Sequence, residues 1–142
     1  MNSVPGNEPT GNRPPPLLLD THALLWWLDG DHNLPQPARQ AIGDANRVVF
    51  ISAASAWEIA TKVRIGKLPD AEYVAKHFAQ ILDDQAFRQL PITIEHARRA
   101  GLMPGAHRDP FDRMLIAQAQ IEGLTLVSNE TLFDRFGVQR LW

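Results

Sequence analysis

The chain of 142 residues contains no cysteine, which excludes disulfide bridges and zinc–thiolate centres. It also has little net charge, because 14 basic and 16 acidic residues leave a formal charge of −2, and this excludes a basic nucleic-acid coat protein. No apolar run approaches the ~18–20 residues that span a bilayer, and the N-terminus lacks the charged start and apolar run of a secretory signal. These absences predict a cytoplasmic protein that does not enter a membrane.

Proline and glycine are concentrated at the N-terminal end of the chain. Residues 1–16, MNSVPGNEPTGNRPPP, contain very few apolar side chains, so they bury too little surface to repay the entropy lost on ordering. We therefore predict a disordered tail over residues 1–16. Residues 17–142 have the composition of a single globular domain, and their number is sufficient for a hydrophobic core without disulfides or structural metals.

The domain alternates predicted strands with predicted helices. Strands are predicted at 17–20, 47–52, 87–92, 124–128 and 138–142, and helices at 21–28, 36–45, 53–66, 70–84, 93–103, 109–123 and 129–137. Such alternation predicts an α/β fold with three layers (α/β/α) and a central parallel sheet. Pro91 limits the third strand to an edge or a strand end. Ligands of parallel sheets bind at the carboxyl ends of the strands.

Acidic side chains recur where the predicted strands pass into helices. They occur in LLLDTH, ISAASAWEIATK, HRDPFDRMLIAQA and LVSNETLF, as Asp20, Glu58, Asp112 and Glu130. Because such junctions share one rim of a parallel sheet, we expect these carboxylates to lie close together and to repel one another. A hard divalent cation relieves that repulsion, and oxygen ligands without cysteine or paired histidine favour Mg²⁺ or Mn²⁺ over zinc. This chemistry predicts metal-assisted hydrolysis of a phosphodiester or a phosphate.

Each acid also has an ordinary structural interpretation. Asp20 and Glu130 suit the N-cap positions of the helices that follow them. Glu58 fits a capping box with Ser55, unless Ser52 caps that helix instead. Asp112 lies in the first turn of its predicted helix, where its negative charge compensates the helix dipole. No single acid therefore identifies a site, and the prediction depends on their accumulation along one edge.

Four motifs together resemble those of a known family. LLLDTHALLWWL, ISAASAWEIATKVRIGKL, HRDPFDRMLIAQA and LTLVSNETLFDRFGVQRLW resemble, in order, the motifs of PIN-domain nucleases. Within these they are most similar to VapC-type toxins of VapBC toxin–antitoxin pairs. The resemblance covers residues 17–142. It implies a PIN-like fold, a Mg²⁺- or Mn²⁺-dependent endoribonuclease that cleaves RNA, a homodimer, and inhibition by a VapB-type antitoxin that fills the acidic groove.

The resemblance also implies roles for individual acids. The catalytic, metal-binding acids of the family fall on Asp20, Glu58 and Asp112. The fourth family position is usually aspartate and here falls on Glu130, so this longer side chain is expected to coordinate directly or through water. Asp109 is an auxiliary candidate, although its position before Pro110 favours an N-cap.

Polar and basic neighbours of the acids complete the predicted site. Thr21 and Ser128 are auxiliary candidates that could hold the acids by hydrogen bonds. Lys62, Arg108 and Arg113 lie near the acids in sequence and are candidate contacts to RNA phosphates. The ordinary interpretation of each basic residue is an ion pair or a solvated surface charge.

Two other interpretations stay open at this point. One is a PIN-like binding module without activity. The other is a different Mg²⁺-dependent phosphatase or phosphotransfer enzyme with Asp20 as nucleophile. Such an enzyme needs a second aspartate two residues on, where this chain has His22, and a lysine near the distal acids, whereas no lysine follows Lys76.

Overall fold

The computed structural model of the protein describes residues 13–105 and 109–142. Most of the predicted tail and Arg108 lie outside the described residues. The described end of the tail is attached to the domain, because Arg47 Nε donates to the Pro15 carbonyl at 3.0 Å. In addition, the backbone N–H of Thr125 donates to the Pro16 carbonyl at 2.9 Å. Nowhere in the described ranges is a helix long and apolar enough to cross a membrane.

The centre of the domain is a sheet of five parallel strands, which confirms the predicted fold class. The strands are β1 (Leu17–Leu19), β2 (Val49–Ser52), β3 (Arg88–Leu90), β4 (Thr125–Val127) and β5 (Arg140–Leu141). Their order in the sheet is β3-β2-β1-β4-β5, and every neighbouring pair is parallel. The third strand lies at an edge and ends at Leu90, directly before Pro91, which agrees with the limit that proline sets on a strand.

Helices connect the strands at nearly the predicted positions. They are α1 (Thr21–Asp29), α2 (Gln36–Gly43), α3 (Ala53–Arg64), α4 (Glu72–Lys76), α5 (Phe78–Asp84), α6 (Ile94–Leu102) and α7 (Pro110–Glu122), with 3₁₀ turns at Pro69–Ala71 and Thr131–Phe136. The boundaries of α7 follow the sequence signals closely. Asp109 caps its start, Pro110 occupies its first turn, and Gly123 ends it with a left-handed φ of 67°.

The prediction of one helix over residues 70–84 is wrong. The segment is divided into a 3₁₀ turn, α4 and α5, and the break lies at His77, whose φ of −121° departs from helical geometry. The sequence predicts one helix because no proline or glycine interrupts these residues. Both pieces still contribute to one core cluster, since Leu82 belongs to it and Val74 and Phe78 pack against it.

The two faces of the sheet are covered by different helices, which gives the three layers. Leu17 and Leu19 pack in one cluster with side chains of α1 to α5, whereas Leu18 packs in the other with α6, α7 and Phe133. All three leucines have no exposed surface. A strand that is buried on both faces requires such a continuous apolar run.

The strand order creates one crevice at the carboxyl edge of the sheet. Successive strands β1, β2 and β3 extend in one direction, and β4 then returns to the other side of β1. Connections therefore leave β1 and β4 in opposite directions, and this switch point is where open α/β sheets bind ligands. Asp20 follows β1 directly, and Ser128 follows β4.

Candidate functional site

Asp20 lies at the switch point and is only 7% exposed. Its Oδ1 accepts a hydrogen bond of 2.7 Å from the backbone N–H of Ala23, so it is the N-cap of α1. The Ser128 hydroxyl also hydrogen-bonds to its carboxylate. Burial raises the pKa of Asp20, and the negative charge of Glu58 raises it further, against the lowering effects of the two hydrogen bonds and of His22. Asp20 is therefore a cap and also a desolvated carboxylate beside a second acid.

Ser128 is held from two sides. It has no exposed surface, and its Oγ accepts a hydrogen bond of 3.0 Å from the backbone N–H of Glu130. Arg140 Nη1 donates to the Ser128 carbonyl at 3.0 Å, while Arg140 Nε pairs with Asp134 Oδ1 at 2.8 Å. Arg140 is not among the residues predicted from the sequence. The available signal was a charged residue within the otherwise uncharged last strand, VQRLW.

Glu58 is the second buried acid, at 6% exposure, and both of its carboxylate oxygens have partners. Thr21 Oγ1 donates to Oε1 at 2.5 Å, and Lys62 Nζ donates to Oε2 at 2.6 Å. The alternative of a capping box with Ser55 does not hold, because Ser52 caps α3 by accepting from the backbone N–H of Ala54. Ser55 Oγ instead lies 3.2 Å from Thr21 Oγ1, which ties α3 to the start of α1.

Asp112 lies half-buried in the first turn of α7. The preceding acid, Asp109, accepts hydrogen bonds from the backbone N–H groups of Phe111 and Asp112 at 2.9 and 3.2 Å, as expected for an N-cap. Helix α7 packs against α3, and the ring of Phe111 meets Trp57 edge-on with centroids 5.0 Å apart. The segments that carry Asp112 and Glu58 are therefore neighbours.

Glu130 is exposed and serves its own 3₁₀ turn. Its Oε1 accepts a hydrogen bond of 3.4 Å from the backbone N–H of Leu132, so the N-cap interpretation describes its contact in the structure. A ligand role for Glu130 stays a prediction.

The structure places Asp20 and Glu58 near enough for their charges to interact at the carboxyl edge. Lys62 neutralises Glu58. Within residues 13–105 and 109–142, no three histidine, aspartate or glutamate side chains form a group that could hold a metal ion. The approach of Asp112 to the buried pair stays a prediction.

A comparison with protein families agrees with this architecture. The family model described as "PIN domain" matches residues 17–139. The chain belongs to the PIN domain family. A curated relative, Ribonuclease VapC16 of Mycobacterium tuberculosis (strain ATCC 25618 / H37Rv), is 37% identical to it over 82 residues, which cover 49% of this chain and 55% of that protein. The PIN domain chain therefore spans about half the length of the curated relative that it matches.

Solved structures share the fold of this PIN domain at low sequence identity. A toxin–antitoxin complex from Klebsiella pneumoniae aligns with a TM-score of 0.57 at 21% identity, covering 81% of this chain and 87% of that chain. VapC20 of Mycobacterium tuberculosis, a sarcin–ricin loop cleaving toxin, aligns with a TM-score of 0.65 at 15% identity, covering 86% of this chain and 95% of that chain. Both likenesses concern the fold.

Two of the three predicted basic contacts, Lys62 and Arg113, have partners inside the protein, and the third, Arg108, lies outside the described residues. Lys62 pairs with Glu58. Arg113 Nε donates to the Ala100 carbonyl at 3.0 Å, and its Nη2 donates to the Met103 carbonyl. Arg113 therefore fastens the end of α6 to α7, and its contact with RNA stays a prediction.

The donor set of this PIN domain suits a hard cation. Two buried carboxylates, from Asp20 and Glu58, lie at one edge with the hydroxyls of Thr21 and Ser128 hydrogen-bonded to them. Burying two carboxylates near each other is costly unless cations compensate their charge. Lys62 compensates Glu58 in the structure. Among the described residues, Asp20 is stabilised by its hydrogen bonds to Ser128 and Ala23 and by the charge of His22. Oxygen ligands of this kind fit Mg²⁺ or Mn²⁺.

Proposed function

We propose that this PIN domain is an endoribonuclease that depends on Mg²⁺ or Mn²⁺, and that it is the toxin of a VapBC-type toxin–antitoxin pair. The observation that carries the proposal is the pair of buried carboxylates, Asp20 and Glu58, at the switch point of a PIN-domain sheet. The relative named Ribonuclease VapC16 supports RNA as the substrate class.

Asp20, Glu58 and Asp112 are the proposed metal ligands, and Glu130 assists directly or through water. When bound, the cation supplies Lewis acidity toward a phosphodiester. The protein contributes orientation, because Ser128 fixes the carboxylate of Asp20 and Thr21 fixes that of Glu58. Such positioning before the substrate arrives lowers the barrier to reaction.

The proposed partners are RNA, a VapB-type antitoxin and a second copy of the chain in a homodimer, all in the cytoplasm. Support for the antitoxin comes from the toxin–antitoxin complex of Klebsiella pneumoniae, which shares the fold.

Cleavage assays on purified protein test the proposal. Structured and unstructured RNAs are incubated with Mg²⁺, Mn²⁺ or EDTA, and the wild type is compared with Asp20→Asn. The matched control is Asp29→Asn, which changes an exposed carboxylate at the other end of α1. We expect cleavage by the wild type and by Asp29→Asn with either metal, and a loss of at least about 100-fold with EDTA or in Asp20→Asn.

Other outcomes identify the competing functions. Binding of RNA without cleavage under all metal conditions would indicate a binding module. Hydrolysis of phosphate monoesters without cleavage of RNA would indicate a phosphatase. Cleavage that persists in EDTA or in Asp20→Asn would exclude the metal-dependent mechanism.

A further inference from the structure

Lys62 and Glu58 form an ion pair within helix α3, one turn apart. The Lys62 Nζ lies 2.6 Å from Glu58 Oε2, and the side chains are 33% and 8% exposed, respectively. The lysine therefore brings its charge from the solvent side of the helix to a carboxylate that is almost completely buried. Such a contact differs from an ordinary surface pair, because removal of the lysine leaves a desolvated charge without a cation.

The ammonium group of Lys62 occupies a carboxylate oxygen of Glu58 through which a metal ion would be coordinated. Glu58 Oε1 already accepts a hydrogen bond from Thr21, and Lys62 holds Oε2. An ammonium group and a divalent cation repel each other, so they do not share one carboxylate oxygen at close range. Coordination of a cation through Oε2 therefore requires Lys62 to leave Glu58.

The released lysine would need another anionic partner. Its side chain is 33% exposed, so the freed ammonium group can reach the solvent, where an RNA phosphate provides an anion. The flexible lysine stem allows this change of partner without movement of the helix.

We infer that Lys62 is an exchangeable counterion, which neutralises Glu58 when the metal is absent and transfers to an RNA phosphate when the metal binds. This role rests on the proposed function. It makes Lys62 the positioning residue that couples the binding of the metal ion to the binding of RNA. Metal and RNA then bind cooperatively, and each raises the affinity of the other by the same factor.

Titration of the metal alone provides the first test. Mn²⁺ is added to the full chain without RNA, and its affinity is measured by calorimetry for the wild type, Lys62→Met and the control Lys67→Met. We expect Lys62→Met to bind Mn²⁺ at least about fivefold more tightly, because the competing ammonium is gone, and Lys67→Met to match the wild type within about twofold. Lys62→Arg, which retains the competing charge, is expected to restore the wild-type affinity.

Coupling between Mn²⁺ and RNA provides the second test. It compares each protein with and without RNA, so it can be interpreted even if Lys62→Met is less stable. Mn²⁺ affinity of the wild type is measured with and without a short single-stranded 2′-O-methyl oligoribonucleotide, whose integrity is checked afterwards. We expect the oligonucleotide to tighten Mn²⁺ binding at least about fivefold in the wild type and in Lys67→Met, and less than about twofold in Lys62→Met.

The results separate this inference from the proposed function. Equal or weaker Mn²⁺ binding by folded Lys62→Met, or equal coupling in both proteins, would overturn the role of Lys62 while leaving RNA cleavage intact. Conversely, a domain that shows the predicted Mn²⁺ changes but cleaves no RNA would overturn the nuclease and retain the counterion exchange.

Discussion

The acidic edge of the sheet consists of two halves that are built differently. The inner half comprises Asp20 and a hydrogen-bonded group formed by Thr21, Ser55, Glu58 and Lys62. The outer half comprises Asp109, Asp112 and Glu130. The hydrogen bonds of the inner group join α1 to α3, and Asp20 and Glu58 are both buried. In the outer half, two of the three acids accept hydrogen bonds from the first backbone N–H groups of their own helical segments.

The two halves differ in their contacts with distant parts of the chain. Asp20 caps its own helix and is also hydrogen-bonded to the distant Ser128. Glu58 pairs with Lys62 in its own helix and also accepts a hydrogen bond from the distant Thr21. The capping acids of the outer half are placed by the helix starts that they cap, and they stay close to solvent. We therefore expect the inner half to hold the metal and the outer half mainly to stabilise local structure, with Asp112 completing the metal site.

The largest expected effect contrasts one acid from each half. Glu58→Gln removes the charge of a buried proposed ligand, whereas Glu130→Gln alters an exposed cap. We expect Glu58→Gln to lower the rate of RNA cleavage at least about 100-fold, and Glu130→Gln to lower it less than about 10-fold. Rates are measured with saturating Mg²⁺ on proteins whose folding has been verified by circular dichroism. Equal losses in the two variants would remove the distinction between the halves.

A second test removes a hydrogen bond from the inner half. Thr21→Val preserves shape but leaves Glu58 Oε1 without its donor. We expect the free energy of unfolding to fall by about 2 kcal/mol, because a hydrogen bond to a buried charge contributes ~1.5–3 kcal/mol. Urea denaturation measures the change.

Thr61→Val in helix α3 is the matched control for this substitution, and it is expected to change stability by less than about 0.5 kcal/mol. A similarly small change in Thr21→Val would show that the inner hydrogen bonds do not determine stability.

Features that depend on local sequence were predictable. Three consecutive leucines required a strand buried on both faces, and the Asp109–Pro110 start of α7 follows from capping chemistry. Pro91 predicted an edge or a strand end because proline lacks a backbone donor, and β3 ends at Leu90, directly before it. In each case one residue type has a strong preference that neighbouring structure does not override.

Features that depend on contacts between distant segments were not predictable. The hydrogen bond of Ser128 to Asp20 and the contact of Arg140 with Ser128 arise only when β4 lies beside β1. The ion pair of Lys62 with Glu58, in contrast, was predictable from the sequence, because residues four apart on a helix are neighbours. Sequence could not show that Glu58 of this pair would be buried, because its burial depends on the packing of α3 against α1.

Burial of Asp20 predicts a pH-dependent difference in stability. Its pKa is raised above the ordinary value of 3.8, mainly by desolvation. The favourable contribution of its protonated form is therefore complete below pH 3.8 and is lost as the pH rises through the folded-state pKa. Asp20→Asn keeps an N-cap and lacks the buried charge, so we expect it to be more stable than the wild type at pH 7.

The advantage of Asp20→Asn should shrink once the pH falls below the folded-state pKa of Asp20 and should level off below pH 3.8. Urea denaturation in EDTA across this range measures the difference, and Asp29→Asn serves as the exposed control on the same helix. An Asp20→Asn variant that is less stable than the wild type at pH 7 would show that hydrogen bonds to the charged carboxylate outweigh its desolvation.

The smallest expected effect distinguishes a cap from a ligand in the outer half. Asp109→Ala removes the acceptor for two backbone N–H groups of α7 and should cost about 1 kcal/mol of stability in urea denaturation, while Asp109→Asn retains the cap and should cost a few tenths at most. Because asparagine replaces the cap but lacks the charge of a metal ligand, we expect Asp109→Asn to cleave RNA within about threefold of the wild-type rate. A stable Asp109→Asn protein with a much lower rate would instead assign Asp109 to the metal site and extend that site into the outer half.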